Sequence, residues 1–248
     1  MSDKAVNDSK LELWNKLLRT SLKIPGARID RVKFLKSQLN KHVSDAILKK
    51  AIESRPALAG ISQETIDDLA SSCIGWHTVQ VSSVSFVAGL PGGWWISGTI
   101  PADLAQFYYH VIVLSQKLAY LYGWPEFLGE NSDADDETIL RLTLFIGVMM
   151  GATGATKVLN DLAERFSKEV LKRLPQQALT KYGFYNVTKQ IARWLGIQIT
   201  KSTFARTISK IIPIVGGFLS AGLSVAFFLP MANRLKDHLR RLSYARKD

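Results

Sequence analysis

The sequence predicts an all-α fold, a single multi-helix bundle with long, apolar, glycine-rich central helices. Two observations predict it. Apolar residues recur at three- and four-residue intervals along nearly the whole chain. The breaks between these runs fall at Pro and Gly rather than at hairpin turns. The one alternating run, residues 78–85 (TVQVSSVS), has no second strand to pair with and reads as helix or connector.

Composition narrows the class. At 248 residues and 47% hydrophobic, the chain can fill a sizeable core without disulfides or metals. Cys73 is the only cysteine, so no internal disulfide forms, which fits a reducing compartment. The start, MSDKAVNDSK, has no apolar core of a secretory signal. The net charge of +11 is unevenly spread. Residues 1–56 carry 13 basic and 6 acidic side chains, and residues 138–248 carry 18 and 5. The middle, residues 57–137, carries 10 acids and a single basic residue, Lys117. Two basic arms therefore flank an acidic segment. They suit anionic lipid, nucleic acid or an acidic partner, or else solvated helix faces.

The elements follow in order. Leu11, Trp14, Leu18 and Leu22 mark a first helix that Pro25-Gly26 ends. Asp30 caps a second, in which Val32, Leu35, Leu39, Val43 and Ile47 form one stripe opposite a Lys/Arg-rich face. Residues 56–60 break the chain, and Ser62 caps a third helix carrying Ile66, Leu69 and Cys73. Pro101 suits the first turn of a helix that runs to about Tyr122 and stops at Gly123. Residues 126–136 form an acidic loop. A helix beginning near Asp135 pairs Glu137 with Arg141 and continues through LTLFIGVMMGATGATKVL. Two further helices are expected over roughly 177–195 and 200–211, before a long apolar segment from Pro213 and a basic tail. Residues 1–56 are read as basic amphipathic N-terminal helices and 57–248 as the main helical domain, in one continuous fold.

Three uncharged segments are candidates for membrane contact: residues 84–102, 142–156 and 211–233. Gly147, Gly151 and Ala155 line up on one helix, and Gly216, Ser220 and Ser224 on another, with Gly217 and Ala221 beside them. Such ridges let helices approach closely in membranes and in soluble bundles alike. The basic tail after the last segment resembles a cytoplasm-facing anchor; a buried hairpin in a soluble bundle is the competing reading.

The polar residues of the central helix are the candidate ligand site. Asp103, Gln106, His110 and Lys117 stand at spacings of three, four and seven, on one narrow stripe. Burying such groups without partners costs several kcal/mol by order of magnitude, so they must meet partners or water. A structural polar seam is the simpler reading, and a groove for a ligand head group the functional one. The glycine-rich turn at 89–93 lacks the Lys-Ser/Thr of a phosphate loop. Asp133, Asp135, Asp136 and Glu137 lack the glycine and closing glutamate of a calcium loop. The four histidines are scattered without Cys partners, so no metal or other cofactor is assigned. No catalytic residue is assigned, Cys73 reads as a structural thiol, and the reading leans away from an enzyme. Basic faces at Arg28, Arg31, Lys33, Lys36 and Lys41, and at Arg193, Lys201, Arg206 and Lys210, match no nucleic-acid motif, so nucleic acid ranks last among the partners.

The block GLPGGWWISGTIPADLAQFYYHVIVLSQKLAYLYGW, the segment LFIGVMMGATGATKVL and the region ITKSTFARTISKIIPIVGGFLSAGLSVAFFLPMANRL together resemble the bacterial EcsC family over roughly residues 70–240. The family is named from a gene accompanying an ABC-transporter operon. The family's biochemical function is poorly defined, and the resemblance carries over no catalytic residues; the small-residue apolar helices and the basic arms join it in motivating the functional expectation. The expectation is a non-enzymatic, membrane-associated accessory or regulatory protein of transport, secretion or envelope function. Its partner would be a membrane surface or membrane protein, and its place the cytoplasm, peripheral to or partly inserted at the inner face of the membrane. The alternative is a soluble helical module holding a lipid-like ligand in an internal cavity. No oligomeric state follows from the pattern.

Overall fold

The computed structural model describes residues 3–82, 102–126, 136–168, 213–242 and 245. Within them the protein is all-helical. The helices are α1 (Asp3–Leu22), α2 (Arg31–Leu39), α3 (Asp45–Glu53), α4 (Gln63–Ser82), α5 (Ala102–Leu121), α6 (Asp136–Met149), α7 (Thr153–Lys168) and α8 (Pro213–Arg241). The expected turn at 89–93 and the expected helices at 177–195 and 200–211 lie outside the described residues. The alternating run at 78–82 continues α4 as helix.

α5 is the axis of the bundle. Tyr108 and the run from Val111 to Leu114 are buried, as are Leu118 to Tyr122. A helix apolar on nearly all sides has no face to give to water and must be covered all round. α1, α2, α4, α6 and α8 pack directly against it. The Trp14 indole of α1 donates from Nε1 to Thr143 Oγ1 of α6 at 3.0 Å and stands edge-on to Tyr108, with centroids 5.5 Å apart. The basic N-terminal helices are therefore built into the same core.

The termini explain why the helices stop. Asp30 caps α2 by accepting from Lys33 N at 2.8 Å, and Ser62 Oγ accepts from Thr65 N at 3.1 Å at the start of α4. α5 ends as the sequence predicts. Gly123, at φ +91°, bonds from N to Tyr120 O, and Trp124 N reaches back to Ala119 O. That is the paired closure of a helix whose post-terminal residue is left-handed. Arg31, 8% exposed, gathers loose carbonyls: its guanidinium donates to Ile52 O, Ser54 O and Trp124 O at 2.7 to 3.1 Å. It thus ties the C-terminal ends of α3 and α5 to the start of α2. Arg31 is therefore no part of a basic surface, although Lys33, Lys36 and Lys41 are exposed.

Two sequence expectations need correction. The stripe from Val32 to Ile47 does not run along one helix. α2 ends at Leu39, α3 begins at Asp45, and Val32 and Ile47 are exposed while Leu35 and Leu39 are buried. Gly147, Gly151 and Ala155 do not line up on one helix either. The chain bends by 117° between Met149 and Thr153. Gly151, at φ +80°, bonds from N to Val148 O, and Ala152 N bonds to Gly147 O. The four-residue spacing of Gly147 and Gly151 is thus a helix stop of the kind that ends α5, not a packing ridge. Ala155 is buried on α7, beyond the bend. Arg234 of α8 completes the stop by donating from Nη1 to Met149 O at 2.6 Å. Gly216, Gly217, Ser220 and Ala221 fall in α8, but their side-chain surroundings lie outside the described residues.

Among the described residues no single helix is long and apolar enough to cross a membrane. The α6–α7 pair meets the length and composition together only across its 117° bend. Leu142 and Leu144 to Met149 are buried against the bundle.

The conformation of Gly151, not the space around it, should set its mutational sensitivity. A Cβ there would meet only the Arg234 guanidinium, at 3.3 Å. Gly151→Ala should cost about 1 kcal/mol from the left-handed backbone, and Gly151→Asn distinctly less, since Asn tolerates that conformation. Urea denaturation of the two variants checks this; an equal loss for both would point to packing instead.

Candidate functional site

The buried polar groups of α5 meet those of α4. Cys73, Trp76 and His77 lie on one face of α4, at spacings of three and four. His110 and Lys117 project from α5 two turns apart. His77 Nδ1 lies 3.0 Å from His110 Nδ1, and Lys117 Nζ lies 3.1 Å from His77 Nε2. The same ammonium stands 5.1 Å from the centre of the Trp76 ring, within cation–π range. Trp76 is edge-on to His77, with ring centres 4.6 Å apart.

Hydrogen-bond logic orders the protons. A charged Lys117 can only donate, so His77 must accept at Nε2 and carry its proton on Nδ1. His77 then donates through Nδ1 to His110 Nδ1, which leaves the His110 proton on Nε2. The three side chains form a directed chain from ammonium to imidazole to imidazole.

Burial sets the charge states. His77 is 1% exposed and His110 fully buried. Desolvation, then the Lys117 charge, then His110 push the His77 pKa down to about 2. Desolvation and the Lys117 charge push His110 down to about 4. Both imidazoles are neutral at pH 7. Burial also lowers the Lys117 pKa, while the nearby Cys73 thiol works in the opposite direction. Burial raises the Cys73 pKa more than Lys117 lowers it, so the thiol stays protonated.

Gln106, His110 and Lys117 lie on α5 as expected, with Gln106 and His110 buried and Lys117 half-buried. His110 and Lys117 are joined through His77. Asp103 lies on α5, but its side chain falls outside the described residues. Sequence reasoning missed His77 and Trp76, having treated the histidines as scattered. The available signal was the Cys73-Trp76-His77 spacing on a helix already expected to bury Cys73. Among the described residues no group of three His, Cys, Asp or Glu side chains could hold a metal ion.

No family model, curated protein or solved structure matches the chain.

The neutral histidine pair should make the fold acid-sensitive. Below pH 6.5 an unfolded histidine takes up a proton that its folded counterpart refuses. The unfolded state then binds more protons, and stability falls with acidification until the folded group titrates, near 4 for His110. For His110 the gap of roughly 2.5 units corresponds to about 3 kcal/mol, lost between pH 6.5 and 4. His110→Asn, whose Oδ1 can still accept from His77, should flatten the slope of unfolding free energy against pH across this window. An unchanged slope would show that His110 is already protonated in the fold.

Proposed function

We propose that the chain is a non-enzymatic, membrane-associated accessory or regulatory protein of a transport, secretion or envelope process, a reading that its resemblance to the EcsC family motivates in part. It meets the bilayer peripherally, and α4 provides the contact. The observation that carries this reading is the pair Trp76 and Val79, one turn apart on α4, 54% and 63% exposed beside a pair of buried histidines. Trp favours the level of lipid head groups, where one side of the ring is apolar and the other wet. The net charge of +11 would draw the protein to an anionic surface. The inward packing of α6 argues against insertion through residues 142–149.

The test is flotation with vesicles of phosphatidylcholine, alone and mixed with phosphatidylglycerol. The wild type should float with the anionic vesicles, and less so at high salt. Burying a large apolar side chain yields about 1.5–3 kcal/mol at most, and about 1.4 kcal/mol is tenfold in affinity. Trp76→Ser with Val79→Ser should therefore weaken binding roughly tenfold or more with the helical content unchanged. A wild type that stays with the soluble fraction in every mixture, or a double variant that floats as well, overturns the reading.

A further inference from the structure

Lys117 is the only basic residue in a stretch that contains 10 carboxylates, residues 57–137. Electrostatics alone would pair it with one of them. Among the described residues no carboxylate lies within ion-pair distance of it. Asp67, the less exposed carboxylate of α4, is already engaged. It accepts from Tyr122 Oη at 2.8 Å and Gln63 Nε2 at 3.0 Å, and it pairs with Arg240 at 2.7 Å. Among the described residues the Lys117 ammonium instead meets neutral groups, the His77 imidazole at 3.1 Å and the Trp76 ring at 5.1 Å.

That is a costly way to hold a charge. A half-buried ammonium has lost part of its hydration and has gained one acceptor where it can serve three. The two buried histidines form the floor of the site, and the exposed indole forms its rim. The ammonium lies against both, on a side chain that is only partly buried.

We propose that Lys117 is an anion-binding residue, and that its ammonium takes a phosphate oxyanion through the donors not used by His77, with the Trp76 ring left in place against the cation. Lysine serves phosphate as a point charge and needs no bidentate geometry. The phosphate can come from an anionic lipid head group, with apolar chains against Trp76 and Val79, or from a soluble phosphate ester. The first source rests on the membrane reading above, and the second does not.

Because no carboxylate among the described residues pairs with the ammonium, its removal loses only the hydrogen bond to His77 and relieves the desolvation of the charge. Lys117→Met keeps the aliphatic stem and should melt at the same temperature as wild type or higher. A lower melting temperature would make Lys117 structural and overturn the proposal. Binding is followed by tryptophan fluorescence during titration with inorganic phosphate, with a short-chain soluble phosphatidic acid, and with vesicles containing phosphatidylglycerol. Lys33→Met, at an exposed position, is the control for general charge. Saturable binding of either soluble probe that weakens at least tenfold in Lys117→Met and less than twofold in Lys33→Met supports the site. Binding of the phosphatidic acid without inorganic phosphate identifies the lipid as the source. Equal weakening in both variants, or no saturable binding of any probe, overturns the site. Vesicle binding that survives Lys117→Met unchanged, with no Lys117-dependent binding of either soluble probe, removes the site and leaves the peripheral membrane reading standing.

Discussion

The fold depends on the need to cover α5. A helix with apolar side chains on nearly every face can persist in water only if other helices enclose it. α1, α2, α4, α6 and α8 each give it an apolar stripe. The same enclosure takes its polar residues out of water, and each then needs a partner. Gln116 shows the structural solution. Its Nε2 donates to Ala27 O at 2.8 Å and its Oε1 accepts from Ile29 N at 3.0 Å, which pins the connector between α1 and α2 to the central helix.

The α4–α5 contact solves the same problem differently. His110 Nδ1 meets another imidazole, and Lys117 meets the far side of that imidazole. Among the described residues nothing anionic enters the arrangement, and burial together with the Lys117 charge holds both histidines neutral. A seam serving stability alone would be better built with a carboxylate, as the Asp67, Tyr122 and Arg240 cluster is. That contrast within one helix pair separates the clamp at the start of α4 from the candidate site nearer its end.

Helix stops shape the rest of the molecule. Left-handed glycines close α5 at Gly123 and α6 at Gly151 by the same pair of backbone bonds. After the second stop the chain turns by 117°, and the apolar run from 142 to 156 becomes two packed helices. Arginines complete these ends: Arg31 reaches Trp124 O beyond α5, and Arg234 reaches Met149 O at the end of α6. Part of the positive charge is therefore used inside the bundle to hold helix termini together and is not displayed on a surface.

The sequence by itself determined the helical class, the caps at Asp30 and Ser62, the stop at Gly123 and the polar stripe on α5. All of these are local: they depend on side-chain periodicity, on one hydroxyl or carboxylate reaching a nearby N–H, or on glycine entering a left-handed turn. Gly151 shows the limit of local reading, because a glycine four residues after another fits a packing ridge and a helix stop equally well. Only the tertiary structure decided between them, through the bonds from Gly151 and Ala152 back into α6. It also decided the site. His77 and His110 are 33 residues apart, and the contact between them exists only because α4 and α5 cover each other's apolar faces. Long-range packing, not spacing in the chain, places the one basic residue of the middle segment among neutral partners, away from the carboxylates around it in sequence.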